Sequence, residues 1–309
     1  MKIVLADQID LQPEILEEIR KLGELTVYDD IPKDKHEIIT RIQDAEIMTA
    51  NWIDITEEII DHAPSHLKYI IVPAVGYDWI HVDAARAKGI KVLNSPTHNT
   101  SAVANYTIGA IITITRQILT ANTDLKQGTW KPMDYKGTEI EGKKLGLIGH
   151  GNIGQKVAEL AQKLGMKVHF ADSHATDEQI DTLLKESDIV SLHLPLTEKT
   201  KHLLDERRLR LMKKDSFLVN TARGAIIDQK ALISLLNEGH FAGVALDVFE
   251  DEPLTGAPNQ EIIHLANMPR VLATPHIAFN SIQTWERLGH ELLANIKSCV
   301  EGNPINVVN

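Results

Sequence analysis

Short apolar runs alternate with amphipathic helical patterns along almost the whole chain, and this alternation restricts the fold more than any other feature. In the first third, the apolar runs are at 3–6, 25–28, 47–50, 69–72 and 90–93. Helical patterns at 13–22, 56–62 and 82–88 separate several of them. Strands that alternate with helices predict a parallel sheet covered by helices on both faces.

A second strand–helix series begins at residue 144. Its predicted strands are at 144–148, 167–171, 189–192, 217–220, 243–246 and 271–273. Six such strands suffice for a complete doubly wound sheet. A long helix is expected at about 101–125, before this series, and a C-terminal helix at 282–300 has no place in the second sheet. A chain of 309 residues is long for one core. We therefore expect an α/β protein with two doubly wound parallel-sheet domains, residues 1–98 with 280–309 and residues 99–279.

Composition excludes several classes of protein. The formal net charge of −11 argues against a nucleic-acid surface, which needs clustered Lys and Arg. The single cysteine, Cys299, allows neither an intramolecular disulfide nor a cysteine metal cluster. Polar residues interrupt the longest apolar stretch, 103–119, so it predicts a buried helix rather than a membrane span. Residues 3–6 are too short for a signal peptide, and we expect a cytoplasmic protein.

A glycine-rich segment follows the first strand of the second series. Gly149, Gly151 and Gly154 have G-x-G-x-x-G spacing and open a helix that begins with Asn152 and Ile153. In this context the first glycine permits a tight turn, the second lets the backbone approach a pyrophosphate, and the third lets helix and strand pack closely. The segment therefore predicts a dinucleotide-binding loop, and residues 99–279 become the predicted Rossmann domain.

The next predicted strand ends at Asp172. A carboxylate at this place accepts hydrogen bonds from the hydroxyls of the adenosine ribose and repels a 2′-phosphate. Ser173 and His174 follow and supply no Arg to offset that repulsion. The sequence thus predicts NAD rather than NADP as the cofactor.

Several motifs together resemble the D-isomer-specific 2-hydroxyacid dehydrogenase family over nearly the whole chain. They lie in the same order as in that family, at 72–85, 146–154, 191–204, 217–228, 243–253 and 274–279. The resemblance implies that an NAD-dependent enzyme interconverts a small 2-keto acid and its D-2-hydroxy acid. It also implies a homodimer, because relatives use the helix at 101–125 and the loop after it as an interface.

Three polar residues after predicted strand ends suit this reaction. Arg223 has the planar fork that binds a carboxylate. His276 can serve as general acid, and Glu252 can orient the imidazole and favour its charged form. The resemblance assigns the same roles to these residues.

Further roles come from the resemblance alone. It implies that the backbone N–H groups of Val75 and Gly76 hold the substrate carboxylate in a smaller, flavodoxin-like substrate domain. Asn51 and Phe279 are expected to line the substrate pocket. The resemblance implies further cofactor contacts from Leu194, Pro195, Thr221, Arg223, Asp247 and His276.

Alternatives remain open at this stage. Formate dehydrogenases resemble this family but carry Gln where this chain has Glu252, whereas phosphite oxidation uses the same three residues. Some corepressors use the fold as an NAD-sensing module.

Asn105–Tyr106 stands where relatives often carry Glu–His. His62 and His66 have the spacing of zinc ligands, but Pro64 lies between them and no third ligand is evident, so no metal is expected.

Overall fold

The computed structural model describes residues 1–253 and 256–309, and the chain divides into two compact units. Unit 1 comprises Met1–Asn99 and Asn280–Asn309, and unit 2 comprises Thr100–Phe279. Each unit is built on one parallel sheet. The fold is therefore α/β with two doubly wound parallel sheets, as the alternation of apolar runs and helical patterns predicts.

Unit 1 contains a five-stranded sheet with the order β2-β1-β3-β4-β5, which is the flavodoxin-like order. Its strands are β1 (Lys2–Leu5), β2 (Glu24–Val27), β3 (Ile47–Thr49), β4 (Tyr69–Ile71) and β5 (Lys91–Leu93). The helices between them are α1 (Pro13–Leu22), α2 (Lys35–Arg41), α3 (Glu57–His62) and α4 (Val82–Ala87). Helix α1 begins with proline, whose fixed φ suits the first turn of a helix.

Unit 2 contains a six-stranded sheet with the order β11-β10-β9-β8-β6-β7. Its strands are β6 (Lys144–Ile148), β7 (Lys167–Ala171), β8 (Ile189–Leu192), β9 (Ser216–Asn220), β10 (Phe241–Leu246) and β11 (Val271–Ala273). Its helices are α5 (Thr100–Thr115), α6 (Ile118–Lys126), α7 (Asn152–Lys163), α8 (Asp177–Glu186), α9 (Glu206–Leu211), α10 (Gln229–Asn237) and α11 (Gln260–Asn267). The strand order reverses between β6 and β8, and ligands bind at such switch points in doubly wound sheets.

The central strands of unit 2 are buried on both faces. Leu218 belongs to a core cluster with Leu192 and Val244, whereas its neighbour Val219 belongs to a second cluster with Leu147. Successive side chains of a strand point to opposite faces, so each strand contributes to both clusters. This double burial explains why the strands read as continuous apolar runs in the sequence.

The C-terminal helix α12 (Ile282–Val300) is part of unit 1. Its buried residues Leu292 and Ile296 share a core cluster with Ile15 and Ile19 of α1. The Ser281 hydroxyl accepts a hydrogen bond from the backbone N–H of Thr284 and caps the first turn. Unit 1 is thus assembled from both ends of the chain.

The sequence expectation of one helix over 101–125 is wrong, because the structure has two helices there. Gln117 lies between α5 and α6 with a left-handed φ of 53°. The carbonyl of Thr115, which a continuous helix would use, accepts a 2.8 Å hydrogen bond from the backbone N–H of Thr138 instead. The returning chain therefore ends α5.

Among the described residues, no helix combines the length and apolar character that a bilayer span requires.

Candidate active site

Polar residues of unit 2 follow the carboxyl ends of three neighbouring parallel strands. Thr221 and Arg223 follow β9, Asp247 and Glu252 follow β10, and His276 follows β11. Since the strands are parallel and adjacent, their carboxyl ends meet at one edge of the sheet. The topology thus gathers residues that are far apart in sequence.

His276 and Glu252 form a hydrogen-bonded pair. The Nδ1 atom of His276 lies 2.6 Å from Oε1 of Glu252, while Oε2 accepts a 3.1 Å hydrogen bond from the backbone N–H of Phe249. Burial raises the pKa of Glu252, but its contacts with His276 and the charge of Arg223 outweigh that effect and leave the pKa below its usual value. Glu252 is therefore an anion near neutral pH. Because Glu252 occupies Nδ1, the other ring nitrogen is the one that can exchange a proton with a ligand.

The loop that carries His276 is held by Asp247. This carboxylate is 2% exposed and accepts hydrogen bonds from the Thr274 hydroxyl and from the backbone N–H groups of Ile277 and Ala278, at 2.6, 3.0 and 2.8 Å. The backbone carbonyl of Asp247 accepts the N–H of His276 at 2.8 Å. His276 has a φ of 52°, in the left-handed region that residues with a side chain seldom adopt. These contacts maintain the unusual backbone and so fix the direction of the imidazole.

Arg223 lies in a loop that presses against the loop after β10. A Cβ atom on its neighbour Gly224 would lie 1.8 Å from the backbone carbon of Phe249. The side chain of Asn220 donates to the carbonyl of Arg223 at 2.8 Å, and Nη1 of Arg223 donates to the carbonyl of Ala222 at 2.9 Å. The loop is therefore fixed while the guanidinium stays close enough to lower the pKa of Glu252.

Phe279 and Thr221 complete the surroundings of these residues in unit 2. The Phe279 ring meets the His276 ring edge to face, with centroids 5.9 Å apart. The Thr221 hydroxyl lies 3.1 Å from the hydroxyl of Thr107 on α5. An aromatic wall beside the imidazole suits a small, partly apolar ligand.

The glycine loop between β6 and α7 can hold a pyrophosphate. Gly149 has a φ of +100°, and a Cβ atom there would lie 2.1 Å from the His193 carbonyl oxygen. A Cβ atom on Gly154 would lie 2.3 Å from the carbonyl oxygen of Gly149, so helix and loop are closely packed. At Gly151 a Cβ atom would meet nothing within 4 Å, which leaves this face of the loop open. The first turn of α7, with Asn152 and Ile153, presents backbone N–H groups at the same place.

The remaining predicted cofactor residues follow β7 and β8. Asp172 is exposed directly after β7, and its carboxylate accepts a 2.8 Å hydrogen bond from the N–H of His174. Leu194 and Pro195 follow β8, next to the switch point. Burial lowers the pKa of His193 to about 3, so this histidine is neutral near pH 7 and is unsuited to donate a proton as a second acid.

Unit 1 holds the other predicted substrate residues. Val75 and Gly76 lie after β4 and are partly accessible. Among the described residues, neither of their backbone N–H groups donates to a protein acceptor. Asn51 follows β3, and its amide donates to the carbonyl of Gln8 at 3.0 Å. Two adjacent backbone donors without a protein partner suit an anionic ligand.

The sequence reasoning missed Asp7, a buried carboxylate after β1. It accepts the backbone N–H groups of Asn51, at 3.1 Å, and of Trp52. Burial raises the pKa of Asp7 to about 6 despite these bonds and the nearby charge of Arg41. Asp7 therefore fixes the loop that carries Asn51. An acidic residue directly after a buried strand was the available signal, although its partner could not be named from sequence.

Tyr106 was noticed in the sequence only as a departure from relatives. In the structure its hydroxyl contacts the hydroxyl of Thr274, which in turn donates to Asp247. Tyr106 thus takes part in holding the loop of His276. Its apolar surroundings on α5 raise the pKa of the phenol, which keeps it protonated.

The two histidines with zinc-like spacing lie at the end of α3 and shortly after it. Nδ1 of His62 lies 2.8 Å from the carbonyl of Glu58. Within residues 1–253 and 256–309, no group of three or more His, Cys, Asp or Glu side chains is arranged to hold a metal ion.

Comparison with known proteins places this geometry in context. Residues 108–278 match the family model described as "D-isomer specific 2-hydroxyacid dehydrogenase, NAD binding domain". A glyoxylate reductase of Thermofilum pendens is 37% identical over 289 residues, which cover 88% of this chain and 84% of that protein. A hydroxypyruvate reductase of Thermotoga maritima is 39% identical over 271 residues, which cover 85% and 87%. A solved structure of an acyclic imino acid reductase (Bsp5) in complex with NADPH and D-Arg superposes with a TM-score of 0.91, 34% identity and 100% coverage of both chains.

The glycine loop generates a paired prediction. Gly149→Ala should destabilise the fold, because its Cβ would collide with the His193 carbonyl and its φ is unfavourable for alanine. Gly151→Ala should leave the melting temperature unchanged, since its Cβ meets open space, yet weaken NADH binding by at least about 10-fold if the pyrophosphate lies against this face. Thermal melts and NADH fluorescence titrations measure both effects. Unchanged NADH affinity in Gly151→Ala would contradict this placement of the cofactor.

Proposed function

Because this chain belongs to the D-isomer specific 2-hydroxyacid dehydrogenase family and is an NAD-dependent enzyme, we propose that it reduces small 2-keto acids such as glyoxylate or hydroxypyruvate to 2-hydroxy acids, with the D configuration wherever the product carbon is a stereocentre. The names of the two relatives above support this substrate class. The observation that carries the proposal is the 2.6 Å contact between His276 and Glu252 beside Arg223. These residues supply a proton donor, its charged partner and a cation for a carboxylate.

In this proposal His276 is the general acid. Glu252 holds Nδ1, so that Nε2 is left to deliver a proton to the carbonyl oxygen of the keto acid. The bound nicotinamide cofactor supplies the hydride. The chain's own contribution is to orient the imidazole through Asp247 and to stabilise the negative charge that develops on the oxygen.

Recognition of the substrate carboxylate is assigned to two groups. Arg223 offers a planar pair of donors that matches a carboxylate. The N–H groups of Val75 and Gly76 offer two backbone donors in unit 1. Asn51 and Phe279 are proposed to line the pocket for the substrate side chain. The edge-to-face contact of Phe279 with His276 supports its part in this assignment.

The preferred cofactor is proposed to be NAD rather than NADP. Asp172 is exposed after β7, where it can accept hydrogen bonds from ribose hydroxyls. A 2′-phosphate at the same place would meet this carboxylate. Asn152, Ile153, Leu194, Pro195, Thr221 and Asp247 are the further proposed cofactor contacts.

A homodimer is proposed for the assembly. Helix α6 and the segment after it expose several large apolar side chains, with Leu125 54%, Trp130 79% and Met133 88% exposed. An apolar surface of this extent on one segment is typical of an interaction site. A second copy of the chain would cover it.

The proposed reaction predicts turnover of NADH with glyoxylate or hydroxypyruvate. Oxidation of NADH, followed by absorbance, should exceed oxidation of NADPH, and His276→Ala should lower kcat by about 10²–10⁴-fold, the usual contribution of a general acid. Formate and phosphite, tested with NAD, distinguish the two oxidation alternatives. Added ammonium distinguishes carbonyl reduction from imine reduction. Binding of NADH without turnover of any of these compounds would favour an NAD-sensing module instead.

The pair of His276 and Glu252 predicts a pH dependence. Reduction requires the protonated imidazole and should fall as pH rises, whereas oxidation requires the neutral ring and should rise over the same range. Since the pKa of Glu252 lies below its usual value, the carboxylate keeps its charge throughout this range. Glu252→Gln should change both profiles, because the neutral amide no longer offers Nδ1 of His276 a charged partner. Profiles that coincide with those of the unmodified enzyme would rule out this coupling.

The proposed interface predicts a dimer at micromolar concentration by analytical ultracentrifugation. Replacing Trp130 and Met133 with Glu should shift the protein to monomer, because two charges would enter the apolar surface. Glu178→Gln, an exposed position on α8 and outside α6 and the segment after it, serves as the control and should stay dimeric. A monomeric unmodified protein would contradict the assembly.

A further inference from the structure

The peptide between Val75 and Gly76 is held by a buried asparagine. Nδ2 of Asn94, which follows β5, donates a 2.8 Å hydrogen bond to the carbonyl oxygen of Val75. The peptide is trans, so its C=O and N–H groups point in opposite directions. The bond that draws the Val75 carbonyl toward Asn94 therefore turns the N–H of Gly76 away from Asn94. This N–H is one of the two backbone donors without a protein partner described above.

Asn94 is itself part of a closed ring of three asparagines. The backbone carbonyl of Asn94 accepts Nδ2 of Asn295 on α12 at 2.9 Å, and Oδ1 of Asn295 accepts Nδ2 of Asn306 at 2.9 Å. The backbone carbonyl of Asn306 then accepts the N–H of Asn94 at 3.2 Å. The ring joins the end of β5 to the C-terminal helix and to the tail that follows it.

Backbone carbonyls fix the orientation of the side-chain amides of Asn94 and Asn295. A carbonyl only accepts, so Asn94 and Asn295 must each direct an amide nitrogen at their carbonyl partner. The oxygen of Asn295 is then left to accept from Asn306. Neither amide can flip without bringing two acceptors together. Asn94 consequently has one orientation, and the peptide that it holds has one orientation as well.

The ring is buried, so any hydrogen bond missing from it would cost free energy. Asn295 is 0% exposed and Asn94 is 9% exposed. Buried amides cost free energy unless they are hydrogen-bonded, and apolar residues would fill the same space without that requirement. The tail residue Asn306 adopts a left-handed φ of 57°, a conformation that asparagine tolerates better than most residues do.

We propose that Asn94, whose backbone is held by Asn295 and Asn306, is a positioning residue that aims the Gly76 N–H at the substrate carboxylate. The proposal rests on the proposed function, because it assigns a task to the proposed carboxylate site. A donor that is already aligned need not reorganise when the anion arrives, which strengthens binding. Asn94 acts through the Val75–Gly76 peptide and does not itself contact the substrate.

The test compares Asn94→Ala with Asn309→Ala. Asn309 is a matched control, because its Nδ2 also donates a 2.8 Å hydrogen bond to a backbone carbonyl of unit 1, that of Ile90. It also accepts the N–H of Val92 and has no bond to the ring or to Val75. Kinetics are measured with a 2-keto acid and with its neutral amide. Binding of oxamate, an unreactive carboxylate analogue, is titrated in the presence of NADH, and NADH affinity is measured separately.

Asn94→Ala should raise KM for the keto acid and Kd for oxamate by about 10-fold, the effect of weakening one hydrogen bond to a charged group. The kcat at saturation and the Kd for NADH should change by less than about 3-fold, since the residue touches neither the proton donor nor the cofactor loop. Preference for the acid over its amide should fall. Asn309→Ala should keep that preference and the oxamate affinity even where it lowers the melting temperature.

Asn306→Gly provides a second variant should Asn94→Ala fail to fold. Glycine keeps the left-handed backbone and removes only the side chain that locks Asn295, so the same loss of acid preference is expected in weaker form. Equal losses with the acid and the amide, or equal shifts in Asn309→Ala, would overturn the positioning role. An unmodified protein that binds oxamate but reduces no keto acid would refute the proposed function alone, and the oxamate affinities would still decide the role of Asn94.

Discussion

The buried carboxylate of Asp247 fixes the geometry on which the proposed chemistry depends. It gathers the Thr274 hydroxyl and two backbone N–H groups of the loop after β11, while its own carbonyl binds the N–H of His276. With the backbone held in a left-handed conformation, the imidazole reaches Glu252. Burial raises the pKa of Asp247 because it disfavours the charged carboxylate, and these hydrogen bonds offset part of that cost.

The same physical arrangement recurs at other strand ends. Asp7 after β1 holds the loop of Asn51, and Asn94 after β5 holds the peptide of Val75. In each case a buried polar side chain directs backbone groups of a neighbouring loop, while the ligand would meet other atoms of that loop. Parallel sheets favour this arrangement, because loops from adjacent strands emerge side by side and can be joined by one short side chain.

The sequence was a good guide to regular structure and a weaker guide to its interruptions. All six strands of unit 2 lie where the apolar runs predict them, because strands buried on both faces must be apolar throughout. The expected helix over 101–125 is broken at Gln117, because the chain at Thr138 returns and takes the carbonyl of Thr115. No local pattern announces a hydrogen bond between such distant residues. Tyr106, unusual in the sequence, gained a role only through its contact with Thr274.

By itself, the sequence determined the α/β class, the dinucleotide loop and the identity of Arg223, Glu252 and His276 as candidate catalytic residues. Those features depend on local periodicity, on glycine geometry and on motifs that can be recognised along the chain. Only the tertiary structure decided that Glu252 meets Nδ1 of His276, that Asp247 supports the loop and that Asn295 and Asn306 hold the backbone of Asn94. Those contacts join residues from separate strands and from both ends of the chain, so their partners are chosen by packing rather than by neighbourhood in sequence.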